Sequence, residues 1–515
     1  MIMSNFASAM PQGIASSMAR CERALDLLLT HRGNASAEVD GVLADDPQCV
    51  FAHCLRTALI VLADNDAART RLAASIDVIE AVSADTDEVA RRHADGARAW
   101  LDGNSRLAAE RYGAIVEDWP HDILALVVAH ALDFRLGQRR MLRDRIAQVL
   151  PAWDDAVPGY ASVLAMYAFG LEENGEYDRA EHIARRALAL DPGLPAAIHV
   201  ISHVMEMQGR TREGLAFLAA TQSAWAEGTG FSVHLAWHKA LFHLDAVDPR
   251  SALTVYDAQI AKPGASDMSV LADASALLWR LQLRNIEVGV RWRVLADRWE
   301  QQSLTGIRPF YVVHAMMAFA AAGRTDAAGR AFQALPRTDA TGASPSPPEE
   351  MLAAPFCEAL LAYARQDYAA SVDWLVRVRH FADRCGGSLA QCDLIHLTFT
   401  EAAFRARKAR LARTLVAERA AQKPASRLNQ LLQRRLLDSA GAREPARVPS
   451  AMTAVSPPAT MGRVVRLLAF IAIGLLGQGN FSESRYRRVW ETRDVRIHDH
   501  CLHKLAGLPR RASCG

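Results

Sequence analysis

Helix breaks recur along this 515-residue chain at nearly constant spacing, and that recurrence limits its fold more than any other feature. Proline-marked or acidic breaks fall at Asp45–Pro47, near Ala84–Asp87, at Trp119–Pro120, Val157–Pro158 and Asp191–Pro192, near Glu227–Gly230 and at Pro263. Successive intervals run from about 34 to 38 residues, the length of a helix-turn-helix unit that buries its apolar face only against its neighbours. Alanine and leucine dominate between the breaks, and no strand-like alternation of useful length interrupts them.

The clearest unit is LAMYAFGLEENGEYDRAEHIARRALALDP, Leu164–Pro192. Tyr167, Gly170, Leu171 and Tyr177 supply the first helix and the turn. Ala180, Ala184 and Ala187 keep the second helix slim where two helices meet, and Asp191-Pro192 stops it. Weaker copies lie at His93–Pro120, Tyr311–Leu335 and Phe356–Val378. The pattern predicts an all-α fold, a right-handed α-solenoid of tetratricopeptide-like repeats over residues 15–440. Thr338–Glu350 reads as a loop between repeats, residues 441–461 as a Pro/Ala/Ser linker, and residues 462–515 as a basic tail without repeats.

Charge is unevenly spread. Residues 1–400 hold 37 Lys/Arg against 49 Asp/Glu, whereas residues 401–515 hold 22 against 8. An acidic body with a basic tail fits an anionic partner for the tail, or a tail that is solvated or lies on the body. The eight cysteines are scattered without a CxxC pair, which excludes a zinc ribbon or a disulfide framework and suggests a reducing cytoplasm. The N-terminus has no signal-peptide pattern, and the most apolar later stretch, Val464–Leu476, is too short to span a bilayer. Arg405–Arg413 reads as a solvated helix face rather than a nucleic-acid surface, since no aromatics interleave with its charges. No phosphate-loop or nucleophile-elbow motif occurs.

Two histidine pairs stand out. AAIHVISHVMEMQGR (Ala196–Arg210) puts His199, His203 and Glu206 on one narrow stripe, at about 0°, 40° and −20° around a helix. HLAWHKALFHLD adds His234 and His238, with Trp237 beside them, in the first helix of the next repeat. First helices line the concave wall of such an array, so the two stripes could face each other, with His314 further along. His199, His203, Glu206, His234 and His238 could hold a divalent metal or trade protons near neutral pH. The other readings are a metal-free ligand pocket and a polar network that only fixes packing. Asp393 and His396 sit on a helix whose N-cap is signalled by Gly386-Gly387-Ser388.

Taken together, HxxxHxxE at His199–Glu206, WHKALFHLD, MSVLADASALLWRLQL (Met268–Leu283), HAMMAFAAAGR (His314–Arg324) and GGSLAQCDLIHLTFTEAAFR (Gly386–Arg405) resemble the tetratricopeptide repeat protein 38 family over roughly residues 15–435. The resemblance implies an α-helical repeat fold and no established reaction. Its motifs match at His199, His203, Glu206, His234, Trp237, His238, His243, Asp245, Asp273, His314, Gln391 and Asp393. The chain departs at Leu389, where the family carries a polar residue, at Cys392, where it carries a basic one, and at Val313, where it carries Asp. If those groups belong to a pocket, this chain has lost part of one. The first functional expectation is a scaffold holding a protein or peptide in its concave groove. The second is a small-molecule binder or a metal- or His/Glu-dependent enzyme with its pocket inside the superhelix.

Overall fold

The computed structural model describes residues 12–441, apart from 65, 84–86, 263–266, 336–347, 380 and 382–385. Helices run through all of it, paired as hairpins in chain order. Five come first: α1 (Gln12–Thr30) with α2 (Ala35–Asp45), α3 (Val50–Ala63) with α4 (Arg69–Ser83), α5 (Glu88–Leu101) with α6 (Ser105–Asp118), α7 (Ile123–Arg135) with α8 (Arg139–Val149), and α9 (Tyr160–Glu173) with α10 (Tyr177–Leu190). Next, α11 (Pro195–Met207) pairs with α12 (Thr211–Ala220), which is followed by the single turn α13 (Gln222–Trp225). Then α14 (Ser232–Asp245) pairs with α15 (Pro249–Val255), and α15 runs into a π-helical turn at Tyr256–Ile260. The later pairs are α16 (Met268–Leu283) with α17 (Arg291–Glu300), α18 (Pro309–Ala322) with α19 (Thr325–Gln333), α20 (Pro348–Ala364) with α21 (Tyr368–Val378), and α22 (Leu389–Arg405) with α23 (Ala409–Gln422). The last described helix is α24 (Arg427–Gly441).

First helices begin 35 to 41 residues apart, and the longest intervals lie in the later half. The breaks read from sequence fall between hairpins, with Pro263 and residues 84–86 outside the described residues. Thr338–Glu350 is not a loop throughout: Pro348 opens α20, where proline's missing N–H costs nothing. Gly441 belongs to α24, while the rest of the expected linker, the basic tail and Val464–Leu476 lie outside the described residues. Among the described residues no helix is long and apolar enough to cross a membrane, and the described cysteines, Cys21, Cys49, Cys54, Cys357 and Cys392, are free thiols.

Local chemistry explains the hairpins. Asp87, Asn104, Asp122 and Asp367 each cap a helix by accepting an N–H of its first turn. In α10 the only buried residues are Ala180, Ala184 and Ala187, so this helix rests on α9 and α11 by its alanine stripe. Gly170 lets α9 approach α8 so closely that a Cβ there would stand 2.4 Å from the Leu142 carbonyl oxygen.

The array also closes on itself. The Gly230 N–H donates to the His31 carbonyl at 2.7 Å, and Arg32 donates to the Gly193 carbonyl at 2.6 Å, which joins the α1–α2 turn to the turns before α11 and α14. At the far end α22 packs on α11 and α16. The Leu389 N–H donates to Glu173, and Arg280 donates to the Ala390 carbonyl at 2.7 Å. Inner first helices are consequently buried nearly all round: eleven of the 13 residues of α11 are buried.

Candidate functional site

His199 and His203 project from α11, and His234 and His238 from α14, one repeat on. Their rings meet. Centroids lie 4.3 Å apart for His199–His203, 4.9 Å for His199–His234, 4.5 Å for His203–His238 and 4.8 Å for His234–His238. One ring nitrogen from each of the four falls within 4.8 Å of all the others. His203 and His238 are fully buried and His199 is 9 % exposed, so solvent reaches the group mainly at the His234 side chain, 22 % exposed.

Carboxylates stand behind the rings. His234 Nδ1 donates to Asp273 Oδ2 at 2.8 Å, and His238 Nδ1 donates to Glu206 Oε2 at 3.0 Å. Lys423 Nζ holds the other oxygen of Glu206 at 3.2 Å. His203 Nδ1 lies 3.3 Å from Glu172 Oε2 and 4.0 Å from Glu173 Oε1. A carboxylate oxygen only accepts, so the proton sits on Nδ1 of His234 and His238, which leaves Nε2 with a free lone pair. Nε2 of His199, His203 and His238 is buried without a partner. Such orphaned nitrogens are costly in a packed interior.

Electrostatics follow from this layout. Burial, reinforced by the neighbouring imidazoles, holds His199 and His238 well below the usual histidine range. Burial pushes His203 down to about 4. On His234 burial also opposes charge, but the Asp273 carboxylate and its hydrogen bond outweigh it and the value rises. Three of the rings are thus neutral near pH 7, the form that binds metals. Burial pushes Glu172 and Glu173 up to about 8, so both are largely protonated at neutral pH.

The expected residues separate into three places. Glu206 is not among the converging donors; it backs His238 and pairs with Lys423. Asp273 likewise backs His234. Trp237 stacks on the His234 ring at 5.3 Å and 13°, and the Arg280 guanidinium lies over the Trp237 ring, 5.2 Å from its centroid. His314 stands apart. Its Nδ1 donates to the Phe310 carbonyl at 2.7 Å, and it lines a cavity of about 50 Å³ with Val313, Met317, Gln391 and Cys392. Two of the three departures from the resemblance, Val313 and Cys392, line that cavity, which is accordingly apolar; the third, Leu389, gives its N–H to Glu173. Gln391 completes a capping box with Ser388, and Asp393 pairs with Arg419 at 2.5 Å in a different cleft. His243 faces Asp248 at 3.7 Å, and Asp245 accepts from Thr211 at 2.9 Å. Arg405, expected on a solvated face, pairs with Glu401 at 2.7 Å and lies over Tyr363 and Tyr368.

Sequence reading missed Glu172, Glu173, Arg280, Lys423 and Arg139, whose guanidinium pairs with Glu173 at 3.1 Å. It also missed a column: His203, His238 and Asp273 follow one another at intervals of 35 residues, as do His199 and His234. Equivalent positions in consecutive repeats share one wall, so the column alone points Asp273 at the histidines. No model of a known protein family matches the chain.

Proposed function

We propose that this chain is a metal-dependent helical-repeat protein, a right-handed superhelix of tetratricopeptide type whose four histidines hold one divalent transition metal. The supporting observation is the convergence of four ring nitrogens within 4.8 Å of one another, with Nδ1 of His234 and His238 bonded to carboxylates while the buried Nε2 atoms of His199, His203 and His238 lack any protein partner. Metal-bound histidines are typically arranged in this way, their second nitrogen oriented by a carboxylate. An all-imidazole donor set suits zinc, copper, nickel or iron rather than calcium or magnesium. Tetrahedral zinc would need donors about 3.3 Å apart, closer than the 4.8 Å span of these nitrogens. Asp273 and Glu206 supply the compensating negative charge. The metal would act as a Lewis acid or electron carrier toward a small molecule approaching past His234.

A peptide in the concave groove has less support, because the inner faces of α9, α11, α14 and α16 are taken up by other parts of the chain. Elemental analysis of tag-free protein tests the metal reading. Near-stoichiometric metal that is lost in both His199→Ala and His238→Ala is the expected result. A folded wild type that retains none of zinc, iron, nickel or copper after reconstitution and gel filtration rejects it.

A further inference from the structure

A cleft of about 70 Å³ opens between α14, α16, α22 and the segment from Arg419 to Leu432. Arg280, in the last turn of α16, and Arg284, which caps the C-terminus of that helix, both line it. Arg280 is only 5 % exposed. Its guanidinium donates to the carbonyls of Ala276 and Ala390, and Arg284 donates to the carbonyl of Leu244 at 2.8 Å. Among the described residues neither has a carboxylate oxygen within 4.0 Å.

The carboxylates that face the cleft are already engaged. Asp393 holds Arg419, Glu206 holds Lys423 and His238, Asp245 accepts from Thr211 and Ser426, and Glu401 holds Arg405 and Arg435. One buried cation, Arg280, and one half-buried cation, Arg284, are therefore left without a paired carboxylate, an arrangement that an incoming anion relieves. Burial lowers the pKa of both guanidiniums, only partly offset by Asp393 and Glu206 at Arg280 and by Asp245 at Arg284. The rest of the wall is apolar, from Leu241, Phe242, Leu283, Leu397 and Leu432.

We propose that this cleft binds a small aliphatic carboxylate, its carboxylate between Arg280 and Arg284 and its hydrocarbon against the leucine wall. A carboxylate matches the planar guanidinium fork, which inorganic ions use without needing the apolar wall. The volume corresponds to about five water-sized positions, the size of a four- to five-carbon acid. The site stands independently of the metal reading, although Glu206 borders both.

The test is calorimetric titration of isovalerate into metal-free, full-length protein, so that an absent metal does not affect the outcome. Saturable binding is expected, weakened about tenfold or more in Arg284→Gln with the melting temperature retained. In the wild type, isovalerate should protect Arg284 from phenylglyoxal, a readout that remains if the variant does not fold. Absence of saturable binding up to about 10 mM overturns the proposal. So does unchanged affinity in Arg284→Gln, modification of Arg284 unaffected by ligand, or inorganic phosphate competing at equal affinity.

Discussion

At the residue scale, protonation governs the histidine group. His203, pushed down to about 4 from an ordinary 6.5, prefers to be neutral in the folded chain, as do His199 and His238. Their contribution is present above the unfolded value of about 6.5 and is lost as pH falls toward 4. His234 runs the other way: its charged pair with Asp273 is retained below 6.5 and lost as pH rises through its raised value. Three against one, the net expectation is loss of stability between about pH 6.5 and 5 and, if the proposed metal binds, its release over the same range, checked by thermal melts and metal content. Glu172 gives a prediction of opposite sign. Its raised value of about 8 means stability is lost as pH climbs from 4.5 through 8. Glu172→Gln removes that penalty, so its melting temperature should gain on wild type by about 1–2 °C per pH unit between pH 5 and 8. Equal melts at both ends would contradict the buried, protonated carboxyl. The histidine pairs were legible from their spacing because i and i+4 share a helix face. Glu172 and Glu173 were not, since two carboxylates before an Asn-Gly turn read as solvated, and it is tertiary packing, against His203 of α11 and the start of α22, that covers them.

At the element scale, the repeat period set the hairpins, and small residues set how closely they pack. Gly170→Ala should destabilise by about 1–3 kcal/mol, because the added methyl meets the α8 backbone rather than a movable side chain. Ser388→Ala removes the side-chain cap of α22, at a cost of about 1 kcal/mol. Urea unfolding of both variants measures these differences, and a Gly170→Ala protein as stable as wild type would mean that α8 and α9 separate more easily than the contact implies. The GGS signal at residues 386–388 foretold the start of α22. It could not foretell that the first N–H of this helix would go to Glu173, more than 200 residues away, because such a pairing depends on how the whole array turns.

At the scale of the molecule, end-to-end stitching changes how the array comes apart. An open solenoid frays from its termini, since each unit touches only its neighbours. Here the α1–α2 turn is tied to residues 193 and 228–230, and α22 to α9 and α16. Amides of α9, α11, α14, α16 and α22 should therefore exchange hydrogen with one common free energy, and Arg32→Ala should lower it for all five together. Graded protection falling smoothly toward either end would refute the shared unit. Overall helicity and hairpin order were readable from period and composition. The closure was not, because its bonds involve backbone carbonyls and amides that carry no sequence signature.

The same stitches bear on how such a chain changes over evolutionary time. Repeat proteins ordinarily grow and shrink by duplicating or dropping whole units, since a new unit meets the same neighbours as the old one. A unit inserted between α12 and α21 would move Leu389 away from Glu173 and Lys423 away from Glu206, and one lost there would do the same. Copy number in that interval is thereby fixed, and variation is confined to substitutions within units and to the loops between them.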